Sequence, residues 1–202
     1  MSAQKLSPSF YRRPDVVQIS RELIGKVLCT RVDGRPLTSG IITETEAYCG
    51  RNDRASHAYN GRRTDRTETM FRTGGIAYVY LCYGIHHLFN VVTNHEGQAD
   101  AVLIRAIKPL EGESVMQQRR NGRPVAPALT AGPGRLSQAL HISKDDDGTD
   151  LTGDAIWIED RGIQMAVSDI NAACRIGVDY AGEDARLPWR HYVEGSRWVS
   201  TK

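Results

Sequence analysis

Lysine is scarce in this chain of 202 residues: five lysines stand against 21 arginines, and none lies between Lys26 and Lys108. Arginine grips phosphate with two parallel donors, so the imbalance suits an anionic partner, although a coding bias toward arginine gives the same count. Paired cysteines are missing too. Cys29, Cys49, Cys82 and Cys174 form no CxxC spacing, which argues against a zinc or iron–sulfur centre and for buried free thiols in a reducing compartment. The opening residues, MSAQKLSPSFYRRPD, lack the apolar stretch of a secretion signal, so the chain is expected in the cytoplasm. The phosphate loop GxxxxGK(S/T), HExxH, GxSxG and GxGxxG are all absent.

Charge is missing from one long stretch. The 23 residues between Arg72 and Glu96 hold no Asp, Glu, Lys or Arg, which is long enough to cross a bilayer. They do hold His86, His87, Asn90 and Asn94, which are costly in lipid. Their aromatic and β-branched bias predicts two buried strands around a turn, in IAYVYLCYG and HLFNVVTN, and no membrane span. His86 and His87, adjacent on a strand, point to opposite faces and do not readily share a metal.

Net charge is +2, which names no partner, but its distribution is uneven. Residues 1–140 hold 19 Lys+Arg against 12 Asp+Glu, and residues 141–202 hold 7 against 12. Six arginines (Arg51, Arg54, Arg62, Arg63, Arg66 and Arg72) fall between Cys49 and Gly75, in a polar loop long enough to be functional or disordered. Before it, residues 14–24 have helical spacing and KVLCTRV and SGIITETEAY read as strands. After the uncharged stretch, ADAVLIRAI reads as a strand and Leu110 to Arg120 as a helix stopped by Asn121-Gly122. TAGPGRLSQAL reads as a turn opening a helix, KDDDGTD as a loop, and AIWIED, AVSDINAACRIGV and HYVEGSRWVS as strands. The mixture has no βαβ rhythm. It predicts an α+β fold in one domain over residues 1–202.

Three local patterns carry chemistry. Glu44, Glu46 and Tyr48 share one face of a strand, where one of two close carboxylates is placed to act as a base; an ordinary exposed acidic face is the alternative. Tyr78, Tyr80 and Cys82 alternate onto one face and Tyr83 falls at the turn, where it is exposed unless it inserts into something; aromatic core is the alternative. Arg105 is the lone charge in AVLIRAI and needs a buried partner such as Glu46, in a site or in a purely structural ion pair.

Taken in order, ETEAY, His57, the arginine-rich loop, YVYLCYG, Asn90, VLIRA with PLEG, AGPGRLSQAL and RIGVDYAGEDARLPWRHYVEGSRWVS resemble the alkyladenine (3-methyladenine) DNA glycosylase family, from Phe10 to Thr201. The short N-terminus resembles bacterial members. The resemblance implies a curved, mostly antiparallel, roll-like sheet with surrounding helices and a protruding β-hairpin. It implies a monomer that acts on double-stranded DNA containing alkylated or deaminated purines, in the nucleoid, with no metal or other cofactor and no membrane partner. The expected activity is monofunctional. The enzyme flips 3-methyladenine, 7-methylguanine or hypoxanthine out of the duplex and hydrolyses the N-glycosidic bond, as the first step of base excision repair.

Residue by residue, Glu46 matches the general base, and Arg105 and the Ile176 carbonyl match groups that hold its water. Tyr48, His57, Tyr80 and Asn90 match the base pocket, with Leu103 on its floor and Asn90 set against the 2-amino group of guanine. Tyr83 matches the residue that fills the gap left in the duplex. Arg62, Thr64, Arg66, Gly134 and Arg135 match contacts to the DNA backbone. Two positions depart from relatives: His86 stands where some have a bulky aromatic, and Gly134 replaces a side chain able to bond phosphate. No lysine falls in the matched site, so a Schiff-base lyase step is not expected. A base-flipping module without catalysis would keep Tyr83, Tyr80 and the arginines but has no need of Glu46 with Arg105, and a metallohydrolase lacks ligand spacing.

Overall fold

The computed structural model describes residues 3–31, 34 and 37–200. Val32 of the KVLCTRV strand and Thr201, the end of the resemblance, lie outside the described residues. Among the described residues nine strands make one antiparallel sheet: β1 (Gln4–Lys5), β2 (Val27–Thr30), β3 (Thr38–Tyr48), β4 (Ala77–Cys82), β5 (His86–Thr93), β6 (Asp100–Glu111), β7 (Ile156–Asp160), β8 (Ile170–Ala173) and β9 (Arg190–Val193). The order β1-β7-β2-β3-β6-β5-β4 forks at β3, whose second half pairs with β9 where its first half pairs with β2. The sheet curls into a half-barrel and, with the helices, gives an α+β domain.

Alternation along the strands sorts side chains onto two faces. Ala47, Val79, Phe89, Val91, Val102 and Ile104 point into the main core, which the helices cover. Helix α2 (Val16–Glu22) starts where the Asp15 carboxylate accepts the Gln18 N–H at 2.9 Å, and it buries Val16 and Ile19. Helix α5 (Pro133–Leu140) begins with Pro133 in its first turn and buries Leu136, Ala139 and Leu140 against β5 and β6. The shorter α1 (Pro8–Tyr11) and α4 (Pro127–Thr130) complete this side with α3 (Glu113–Arg119).

The opposite face carries Tyr78, Val92 and Ala101 under Ala58, Met70 and Phe71 of the arginine-rich loop. That loop is pinned rather than loose. The Arg175–Asp53 ion pair is fully buried within it, and the Asp53 carboxylate also accepts the N–H groups of Cys49 and Ala55.

Several sequence expectations change. Strand β6 runs on to Glu111, so Gly112 (φ 73°) turns the chain and α3 spans only Glu113–Arg119. Residues 166–178 and 191–200 are strand only at β8 and β9: β8 finds a ladder partner over four residues, and β9 lies between β8 and the second half of β3 over the same short stretch. β1, α1 and α4 were too short to show a period. Of the four thiols only Cys29 is fully buried, and Cys174 is exposed.

Candidate active site

Residues far apart in sequence meet in one row across five strands. Arg190 on β9 pairs with Glu46 on β3, Glu46 with Leu103 on β6, Leu103 with Asn90 on β5, and Asn90 with Tyr78 on β4. Directly opposed residues share a face, so the ladder alone sets all five side by side. The β3–β6 register slips twice beside this row, between Ile42 and Glu44 and again between Glu44 and Thr45. Such bulges re-aim side chains without ending the sheet.

Arg105 stands beside one slip, and its guanidinium bridges both acids. Nε donates to Glu44 Oε1 at 3.0 Å and Nη1 stands 3.1 Å from Glu46 Oε1, while Nη2 donates to Ser200 Oγ at 3.1 Å. Burial alone would lower the Arg105 pKa, but the charges of Glu46 and Glu44 outweigh it and hold the group above its ordinary value. The guanidinium thus lies between the two carboxylates and offsets their charge.

Glu44 is further held by Arg190 Nη1 at 3.0 Å and by the N–H and hydroxyl of Ser200 at 2.6 and 2.9 Å. Glu46 accepts one hydrogen bond on each oxygen, from the Ile176 N–H at 2.7 Å and the Tyr48 hydroxyl at 2.8 Å. It keeps acceptor capacity on both. The contact Ile176 makes with Glu46 is thus through its amide N–H.

Above this pair lies a cavity of about 410 Å³. Tyr48, Arg105 and Ile176 line it, whereas Glu46 itself has no exposed side-chain surface and sits just beneath them. His57, Tyr80, Asn90, Leu103, Arg66 and Tyr83 line it as well. Both Asn90 Nδ2 bonds go to main-chain carbonyls, of Tyr78 at 3.1 Å and Leu88 at 3.3 Å, which leaves Oδ1 as its free polar atom.

The His57 ring meets Tyr80 edge-on at 4.7 Å. Arg66 Nη2 is 3.3 Å from His57 Nε2 and can only donate, so Nε2 accepts and the proton sits on Nδ1, 3.1 Å from the Tyr78 hydroxyl. Burial, helped by Arg66 and Arg62, lowers the His57 pKa to about 4 and keeps the ring neutral. Burial and the Glu46 charge push the Tyr48 hydroxyl well above its usual value.

The hairpin β4–β5 projects past the cavity. The main chain of Ile85 bonds back to Cys82, with Tyr83 at φ 50° and Gly84 at φ 70°, the two positive angles of a tight hairpin turn. Tyr83 is 92% exposed and Ile85 72%, so the tip offers bare apolar surface to solvent. Helix α5 begins beside it: a Cβ at Gly134 would come within 2.8 Å of His86 Cβ. Gly134 and His86 therefore pack against each other. Arg62, Thr64, Gly134 and Arg135 do not line the cavity; Arg62, Thr64 and Arg135 are exposed around it.

Sequence reasoning missed two residues here. The Arg175 guanidinium lies 4.8 Å from the Tyr48 ring and holds it from behind, and its only signal was a charge beside the apolar run IGV. Tyr180 lines the cavity rim, 71% exposed, with its hydroxyl donating to the Ala55 carbonyl at 3.1 Å. Among the described residues no three His, Cys, Asp or Glu side chains are grouped to hold a metal, and no helix is long and apolar enough to cross a membrane.

The sequence profile of methylpurine-DNA glycosylases matches residues 9–197. The chain belongs to this family. Curated relatives named "Putative 3-methyladenine DNA glycosylase" cover nearly the whole chain. That from Desulfitobacterium hafniense is 42% identical over 98% of this chain and 100% of its own. That from Chlamydia felis is 47% identical over 92% and 94%, and that from Bacillus thuringiensis 45% over 96% and 98%. In this methylpurine-DNA glycosylase family member the row from Arg190 to Tyr78 joins the acid pair to the aromatic pocket.

Proposed function

We propose that this protein is a monofunctional DNA glycosylase that extrudes damaged purines, 3-methyladenine and 7-methylguanine first, and hydrolyses their N-glycosidic bond. The observation that carries the reading is the buried Glu46–Arg105 pair directly beneath an aromatic-lined cavity beside an exposed hairpin tip. A base inside a duplex cannot be reached, so the nucleotide has to leave the stack at a cost of a few kcal/mol. Tyr83, entering the vacated space, and Tyr48 and Tyr80, against the purine, offset that at about 1–3 kcal/mol per stacked ring.

The glycosidic bond breaks with its electron pair leaving on the base nitrogen, and positive charge builds at C1′. The Glu46 carboxylate stabilises that charge and takes a proton from the water that bonds to C1′. Arg105 and the Ile176 N–H fix the carboxylate for this task. N3- and N7-alkylated purines carry positive charge and depart neutral, and electron-rich rings attract them. A neutral base such as hypoxanthine needs a proton as it leaves, and neutral His57 does not supply one above about pH 4. Among the described residues no lysine lines the cavity, and Lys26 is paired with Asp160 at 2.5 Å, which supports hydrolysis without a lyase step.

The deciding experiment incubates the protein with methylated and with inosine-containing duplexes and measures free bases and strand breaks. Release of 3-methyladenine with intact abasic strands is expected. Tight binding without any release of base would overturn the enzymatic reading in favour of a damage-sensing module.

A further inference from the structure

Three arginines lie on the side of α5 that faces away from the core, outside the cavity and its loop. Arg120 caps the C-terminus of α3, Arg123 follows at the next turn, and both line a surface groove with Asn121 and Gly122. Arg135 and Gln138 are three residues apart on α5 and share its exposed side. Gln138 ties the two segments: its Oε1 accepts from Arg120 Nη1, and its Nε2 donates to the Arg119 carbonyl at 2.9 Å.

The cluster is poorly compensated. Arg120 Nη2 donates to the Ala128 carbonyl at 3.1 Å, but its Nε–H is buried with no partner. Among the described residues Arg135 bonds only a carbonyl, that of Ala131, at 3.0 Å. Burial, then Arg123 and Arg135, pushes the Arg120 pKa down, with no acid among the causes. Three like charges kept together without a carboxylate call for an external anion.

Position says which anion. Helix α5 starts against His86 at the foot of the hairpin, through Gly134. At 1.5 Å per residue, Gln138 lies about 6 Å further along the helix, roughly two nucleotide steps of a strand.

We propose that Arg120 and Arg123, continuing from Arg135, form a second phosphate-binding patch that holds duplex DNA beside the hairpin, outside the lesion site. The patch rests on the DNA-binding reading above but not on catalysis. It makes affinity more salt-dependent without touching the chemical step, since phosphate contacts position the duplex and carry no base information.

The test measures binding of undamaged duplex against salt. Removing one phosphate contact makes the slope of log K against log salt shallower by about 0.9, so the penalty shrinks about 3.5-fold between about 50 and 200 mM salt. Arg123→Ala is the first variant, because its side chain is exposed and its loss leaves no buried gap. The expected result is that shallower slope, an unchanged unfolding midpoint, restoration by Arg123→Lys, and unchanged base release at saturating enzyme. Arg31→Ala, just past the end of β2, serves as a charge-matched control and keeps the wild-type slope. An unchanged slope for Arg123→Ala, or an equal change for Arg31→Ala, overturns the patch while leaving the glycosylase reading intact. Failure of the wild-type protein to bind duplex at all would sink both.

Discussion

Glu44 and Glu46 look alike in sequence and are equally buried, yet substitution should separate them. Glu44 receives two guanidiniums and the Ser200 N–H and hydroxyl, so it fastens β9 and the C-terminal segment to β3. Replacing it by glutamine removes a charge on which two arginines converge. Breaking a buried pair from one side costs about 3–5 kcal/mol. Glu46→Gln leaves Arg105 its bond to Glu44, and the new side-chain oxygen can still accept the Ile176 N–H. Its stability cost is that of a weakened hydrogen bond, about 1–3 kcal/mol. Its rate cost is that of a lost general base, about 10²–10⁴-fold.

The assay pairs urea unfolding of both variants with single-turnover release of 3-methyladenine from methylated duplex, using excess enzyme. Glu46→Gln should bind lesion DNA and fail to turn it over, with a modest shift in midpoint. Glu44→Gln should lose more stability and keep more rate per folded molecule. Full turnover by Glu46→Gln, or equal losses in both properties for the two variants, refutes this division of labour.

Three further outcomes follow from the geometry. Tyr83→Ala should weaken binding to lesion or abasic duplex by roughly 5- to 100-fold, the value of one stacked ring, with the fold intact because the side chain is 92% exposed; unchanged affinity in a gel-shift titration counts against insertion. His57 and His191 are both lowered to about 4, mainly by burial, so the unfolded chain binds more protons between pH 6.5 and 4 and their contribution, complete above pH 6.5, is lost on acidification. Asp100, raised to about 6 by burial, acts in the opposite sense and offsets one of them. The net is about one proton, or roughly 2 kcal/mol lost from pH 6.5 to 5, read as a lower urea midpoint; a higher midpoint at pH 5 contradicts the sign. Gly134→Ala places a methyl 2.8 Å from His86 Cβ and should cost about 1–3 kcal/mol while loosening the hairpin's foot, seen as faster amide exchange in residues 82–88.

The strands that build the site were legible because their signals are local: β4 and β5 follow from an aromatic and β-branched bias around a turn, β3 from a short strand-like run, and most of β6 from alternation. The partnership of Arg105 with Glu46 was legible for another reason, since a buried guanidinium demands a carboxylate. Its second partner, Glu44, was not. That pairing depends on register slips in β3 and β6, which are set by packing across the sheet and leave no period in the sequence. Arg175 and Tyr180 escaped because they sit in a segment with no ladder and a run of irregular turns, where side-chain direction follows tertiary contacts alone. The arginine-rich loop read as polar chain. Its order comes from Asp53 and Arg175, 122 residues apart, a separation no local pattern reports.

The base role proposed for Glu46 agrees with its place under cover. Glu46 has no exposed side-chain surface, and its two oxygens are held by the Ile176 N–H and the Tyr48 hydroxyl. A carboxylate open to the groove would repel the phosphates of every duplex the protein scans, whereas one paired with Arg105 beneath the cavity floor adds no net charge to that surface. The same burial strengthens its field at short range, where positive charge develops at C1′. Arg66 adds positive charge at the cavity, and the rings of Tyr48 and Tyr80 line it. A protein that only sensed distorted DNA would gain from the outer arginines and the hairpin alone. On the reading proposed above, Glu46 is the acid with a task at C1′, whereas Glu44, Arg105 and Arg190 hold it and the strands around it in place.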